Sequence, residues 1–264
     1  MPVPGDFLVR VTETNRNLPR NIWLLCGDGN LEPMAPLISE RATLSSLIPG
    51  VNQWLWVHEV IRRFIERAAE DQDQRWMVFV DTNPSFSIYT ELAISCVTRL
   101  IVPVNADDAS RVATTAMFTL IYGANPPHPI YGSYTYANRA AEAGLQRPNV
   151  HLIVGNRLTQ YLGAATAFAA ISDATANSLF TAYQANPDRF TAVEHAVNSV
   201  GQFRDTYSIP LRDFNTAGVV AAHLGMPLSH LRDGYYRVHG SDVQVNSARA
   251  GECLQAVDQV VNRL

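Results

Sequence analysis

The apolar positions of this chain fall into short continuous runs and helical stripes that alternate along most of its length. Asn21-Ile-Trp-Leu-Leu-Cys26 is a compact apolar run closed by Gly27-Asp28-Gly29-Asn30, which predicts a strand and then a loop. Between Gln53 and Asp71, Leu55, Val60, Ile61, Phe64 and Ile65 share one side, while Arg62, Arg63, Glu66 and Arg67 fall largely off it. That spacing predicts an amphipathic helix. Trp76-Met-Val-Phe-Val80 then runs straight into Asp81-Thr-Asn-Pro84. A buried parallel strand has this form when it delivers a carboxylate to the carboxyl edge of its sheet. Ser87 to Thr98 predicts a helix with Ser85 or Ser87 near its cap, and Arg99-Leu-Ile-Val-Pro-Val104 predicts a second buried strand. Strand, helix and strand in close succession predict a βαβ crossover and parallel pairing.

Asp107 or Asp108 is placed to cap the next helix, from Ala109 to Tyr122. As a carboxylate pair they also suit metal or acid–base work, but a position just before an apolar helix favours capping. Ala124-Asn-Pro-Pro-His-Pro129 is the clearest breaker and reads as a loop inside one domain, because a strand pattern resumes at Val150-His-Leu-Ile-Val154. Gly163 to Tyr183 is alanine-rich and helical, Phe203 to Leu224 reads as another helical region stopped by Gly225-Met-Pro227, and Gly240 to Leu264 reads as an amphipathic helix. The expected organisation is a single α/β domain over residues 1–264: an irregular segment 1–20, a parallel sheet with flanking helices over 21–224, and a helical region 225–264.

Composition narrows the chemistry. Of 264 residues, 47% are hydrophobic and 17% charged, ordinary for a chain that buries a core. All 20 basic residues are arginine and there is no lysine, a substitution most simply assigned to a GC-biased genome. The consequence is chemical: Schiff-base, phosphate-loop and kinase-type lysines are excluded. A net charge of −4 gives no global case for nucleic acid or an anionic membrane, although Arg232, Arg237 and Arg249 could form a local phosphate-binding patch. Cys26, Cys96 and Cys253 are widely spaced and fit reduced thiols in a cytoplasmic protein. No secretory signal or membrane-spanning run is read. The seven histidines show no metalloprotease spacing, and neither Gly-x-Ser-x-Gly nor Gly-x-Gly-x-x-Gly occurs.

Val78-Phe-Val-Asp-Thr-Asn-Pro-Ser-Phe86, Glu91-Leu-Ala93 and Arg99-Leu-Ile-Val-Pro-Val-Asn-Ala-Asp-Asp108 together resemble the second half of ParA-type partition ATPases. These belong with the deviant-Walker P-loop proteins. The resemblance runs from about Asn21 to the C-terminus and implies a P-loop NTPase-like parallel sheet flanked by helices, incomplete at its N-terminus. It gives Asp81 the role of the Walker B and switch II acid, which holds the shell of a Mg²⁺ ion through water, and makes Asn83-Pro84-Ser85 the switch turn. It makes Asn156 an adenine-binding residue with Arg157 against the base, although Asn156-Arg157 reads equally as a turn with an exposed arginine. Arg212, in Ile209-Pro-Leu-Arg-Asp213, would help complete that pocket.

The resemblance implies ATP and Mg²⁺ as cofactors, a homodimer or a ParA-family partner, and non-specific DNA binding in plasmid or chromosome partition. It also implies that the family's first strand, phosphate loop and switch I aspartate would lie before Met1. Asp81 alone cannot neutralise the β- and γ-phosphates, so these residues are expected to show no significant ATP hydrolysis. The alternative expectation is a non-catalytic binding or dimerisation module that associates with a full-length ParA relative or partition partner.

Overall fold

Apolar runs become strands only where a neighbour completes their backbone hydrogen bonds, and that condition decides which expected elements form. The computed structural model describes residues 3–44, 48–70, 75–82, 85–105, 107–123, 127–155, 165–211 and 213–264. In chain order these contain β1 (Leu8–Arg10), α1 (Val11–Thr14), β2 (Trp23–Leu25), α2 (Leu31–Thr43), α3 (Gln53–His58), α4 (Val60–Glu70) and α5 (Ile88–Cys96). There follow β3 (Arg99–Val104), α6 (Asp108–Tyr122), α7 (Tyr136–Glu142), β4 (Asn149–Gly155), α8 (Ala165–Ala185) and α9 (Val200–Tyr207). The chain ends with β5 (Ser208–Pro210), α10 (Asn215–Leu224), β6 (Gly234–Val238), β7 (Ser241–Val245) and α11 (Ser247–Val261).

The fold is α/β. Strands β3, β4 and β5 make a three-stranded parallel sheet in that order, flanked by helices. Its register pairs Ile153 with Ser208, Val154 with Ile209 and Gly155 with Pro210. Leu211 N–H donates to the Gly155 carbonyl at 2.6 Å, extending the contact one residue past the proline. Two further sheets have two strands each, β1 with β2 and antiparallel β6 with β7.

Several expectations need correction. Residues 75–82 form no strand, so the expected Walker B-like strand ending at Asp81 and its βαβ crossover are absent. Met77, Val78 and Phe79 are exposed, and no described strand pairs with them. The strand near Trp23 forms, but in the two-stranded sheet with β1, where Leu24 and Leu25 are exposed. Segment 1–20, expected to be irregular, carries β1 and α1. The single helix expected from Gln53 is two, broken at Glu59 (φ −88°, ψ 0°). The helical region expected over 203–224 is interrupted by β5, because Pro210 holds Ile209 extended. The helical C-terminal region instead begins with a β-hairpin, whose turn residues His239 and Gly240 both have positive φ (48° and 86°).

Other expectations hold. Asp107 caps α6, accepting the Ser110 N–H at 2.6 Å. Gly225 ends α10 in the left-handed conformation (φ 57°), and its carbonyl accepts from Asn15 Nδ2 at 2.6 Å.

The chain divides into two compact units: Met1–Val9, Leu24–Leu100 and Thr115–Asn149 in the first, and Arg10–Trp23, Ile101–Thr114 and Val150–Leu264 in the second. The first is mainly helical, with a core built around Trp54, Val57, Leu92, Ile94, Ile121 and Tyr136. The second packs Leu152, Val154 and Ile209 on the sheet and Val220, Leu231, Val238 and Val245 around the hairpin. It also holds an aromatic cluster in which Phe203 lies 5.4–5.8 Å, ring to ring, from Phe180, Tyr183, Phe190 and Tyr207. Among the described residues no helix is long and apolar enough to cross a membrane.

Candidate functional site

In the second unit the parallel strands carry their carboxyl ends into a cleft of about 640 Å³. That volume falls within the range of roughly 300–1,000 Å³ common to small-molecule sites. Val104 and Asn105 enter from the end of β3, Gly155 from the end of β4, and Ile209 and Pro210 from β5. The edge outside parallel strand ends is where ligands of open α/β sheets bind, because the connecting loops diverge there and leave backbone groups free.

One wall is α8. Ser172, Thr175, Ala176 and Leu179 all line the cleft, and their spacing places them on one helical face. Leu179 supplies apolar surface, while Ser172 and Thr175 add hydroxyls. Thr175 is 4% exposed and its Oγ1 has no hydrogen-bond partner among the described residues. A buried hydroxyl left unpaired costs about 1–3 kcal/mol, which a ligand that meets it would recover.

The opposite wall is fixed by arginines. Arg204 on α9 pairs with Asp173 on α8, a half-exposed ion pair that orients side chains more than it stabilises the fold. Arg263 donates to the carbonyls of Thr206 and Asp205 at 2.5 and 2.8 Å. These are carbonyls of the last turn of α9, so Arg263 satisfies acceptors that a helix end leaves open. His151 meets the Arg263 carbonyl at 2.6 Å through Nε2 and Thr191 at 3.1 Å through Nδ1, which holds the same segment from β4.

The cleft therefore presents amides (Asn105, Gln259, Asn262), hydroxyls (Ser172, Thr175, Ser208), an acidic residue (Asp205) and two arginines already engaged by protein acceptors. Among the described residues its lining contains no histidine or cysteine. This set reads the hydrogen-bonding edge of a heteroatom-rich molecule.

Of the residues singled out by sequence, Asp81 is exposed in the irregular segment 75–82 of the first unit and does not line this cleft. Asn83, Asn156, Arg157 and Arg212 lie outside the described residues. Gly155, which immediately precedes Asn156, and Pro210, two before Arg212, both line the cleft. Among the described residues no three His, Cys, Asp or Glu side chains converge as a metal site. Asp81 stands without the lysine-bearing loop that would hold a phosphate–Mg²⁺ complex, so the described residues do not fit that half of the ligand. Of the three local arginines considered for a phosphate patch, Arg232 instead turns its guanidinium onto the carbonyls of Ser229 and Leu231.

Sequence reasoning did not single out this wall; the signal that could have found it is the stripe Ser172, Thr175, Ala176, Leu179, where two hydroxyls interrupt an otherwise small and apolar face. Arg204, Asn262 and Arg263 carried no such signal. Comparison with protein-family models, curated proteins and solved structures finds no match to this chain.

Proposed function

We propose that this chain is a ParA-related binding module with a P-loop NTPase-like sheet, and that its cleft holds an adenine nucleoside or nucleotide without hydrolysing it. One observation carries the reading: the cleft at the carboxyl ends of β3, β4 and β5, lined by the residues leading into Asn156 and Arg212. The motif block from Val78 to Asp108 supplies the family, and the amides and hydroxyls of the lining suit the edge of a purine. The absence of lysine and the exposed position of Asp81 argue against phosphoryl transfer by these residues.

Calorimetric titration of the purified chain is expected to show adenosine and AMP binding within about threefold of each other, with no effect of Mg²⁺ and no phosphate released from ATP. Failure of every adenine compound to bind would end this reading. Mg²⁺-dependent ATP turnover that disappears in Asp81→Ala would restore the ATPase.

A second reading, association with another copy or a ParA relative, is favoured by the exposed run Met77-Val78-Phe79. Sedimentation should then show a concentration-dependent dimer that Phe79→Asp dissolves; a monomer at every concentration, with no change on adding a ParA protein, would reject it.

A further inference from the structure

The helical first unit holds a separate cavity of about 200 Å³, and its polar groups are arranged around a buried histidine. His58 is fully buried and stacks on Trp54, with ring centroids 3.8 Å apart and planes 22° from parallel. Its Nδ1 lies 2.8 Å from the Trp54 carbonyl. A carbonyl only accepts, so Nδ1 carries a hydrogen and donates it. Nε2 faces Glu91 Oε2 at 3.0 Å. A carboxylate also only accepts, so this contact is a hydrogen bond when Nε2 carries a hydrogen as well. His58 and Glu91 then form an ion pair, both ring nitrogens are committed within the protein, and His58 acts as a positioning residue for the Glu91 carboxylate. The Glu91 side chain is 28% exposed and lines the cavity, and its second oxygen has no hydrogen-bond partner among the described residues.

The floor beneath Glu91 is equally tied. Ser95 Oγ donates to the Glu91 carbonyl at 2.7 Å and meets the Tyr136 hydroxyl at 3.0 Å, while Arg62 donates to the Ser95 carbonyl at 2.7 Å. Burial pushes the Tyr136 hydroxyl up to about 12, so it stays neutral over the physiological range.

Two lining groups remain uncommitted. Arg139 holds its guanidinium 5.9 Å from the Trp54 ring centre, and its side chain makes no hydrogen bond or ion pair with the described residues. Ser87 Oγ is buried without a partner among them. The cavity therefore offers a carboxylate oriented by His58, an arginine and a hydroxyl that have no hydrogen-bond partner among the described residues, and an aromatic wall from Trp54 and Phe86. An ammonium group alone can use only Glu91 and a carboxylate alone only Arg139 and Ser87, whereas a molecule carrying both groups uses all three at once. The volume is smaller than that of drug-sized sites and suits a ligand of few heavy atoms.

We propose that this cavity is a binding site for a small zwitterionic α-amino acid. Its ammonium group lies on Glu91, its carboxylate accepts from Arg139 and the Ser87 hydroxyl, and its short side chain packs on Trp54.

The test is calorimetric titration of the full chain with glycine, L-alanine and L-serine, beside methylammonium chloride and sodium acetate. At least one amino acid is expected to bind about tenfold or more tightly than either half-ligand. Arg139→Gln is expected to remove that advantage with an unchanged far-UV spectrum, and Ser87→Ala to weaken binding several-fold. Glu91→Gln would also release His58, so the half-exposed Arg139 is the decisive variant. No binding of the three amino acids to folded protein, equal binding of a half-ligand, or an unchanged affinity in Arg139→Gln would each overturn the proposal.

Discussion

Phe203→Ala is expected to cost the second unit about 3–5 kcal/mol, the range for removing a fully buried aromatic side chain. Phe203 is 0% exposed and touches four other aromatic rings, including Phe190 edge-on at 78°. The methylenes and ring it loses leave a cavity that those neighbours cannot fill, because each is held from its own element: Phe180 and Tyr183 on α8, Tyr207 at the end of α9. Domains are stable by only about 5–15 kcal/mol, so the variant should lose about a fifth or more of its margin. Denaturant unfolding followed by circular dichroism should show the midpoint falling at an unchanged slope. Phe203→Leu keeps most of the volume and should cost less than half as much. A Phe203→Ala protein that unfolds at the parent's denaturant concentration would show that this cluster does not hold the unit together.

His58→Ala should be the most damaging comparable change in the first unit, at about 2–4 kcal/mol. Two separable losses contribute. One is packing, since the imidazole stacks on Trp54 at 3.8 Å. The other is polar: the Trp54 carbonyl and one Glu91 oxygen lose the donors now 2.8 and 3.0 Å away. His58→Phe separates them, because it restores a stacked ring without restoring donors. Thermal denaturation should place His58→Phe between the parent and His58→Ala. If His58→Phe melts with the parent, the ring alone matters and the orientation of Glu91 by His58 has no energetic weight.

The elements legible in the sequence were those whose signals are local. β3 and β4 are continuous apolar runs, α6 announces itself by Asp107, and α10 by Gly225. What misled were runs whose fate depends on distant partners. Trp76 to Val80 is as apolar as β3, yet it pairs with no described strand and remains open to solvent. β5 is three residues long and sits between two helices, so helical periodicity on either side hid it. The hairpin was visible in principle, with Tyr236, Val238, Val243 and Val245 facing one side across His239-Gly240, but was absorbed into a helix expected to start at Gly240.

The candidate sites divide the same way. The strand-end cleft follows from topology once β3, β4 and β5 are parallel. The His58–Glu91 pair joins residues thirty-three apart and the Arg263 clasp joins residues nearly sixty apart, and neither spacing has a signature along the chain.

The register of the central sheet also sets an order of assembly during synthesis. β4 pairs Ile153 with Ser208 and Val154 with Ile209, and the chain between them must first be made and then folded back through α8 and α9. Closing so long a loop costs entropy before any strand contact repays it. On the ribosome, β4 therefore waits with one edge open until Pro210 has emerged, and nascent chains halted within α8 should be the ones that recruit chaperones.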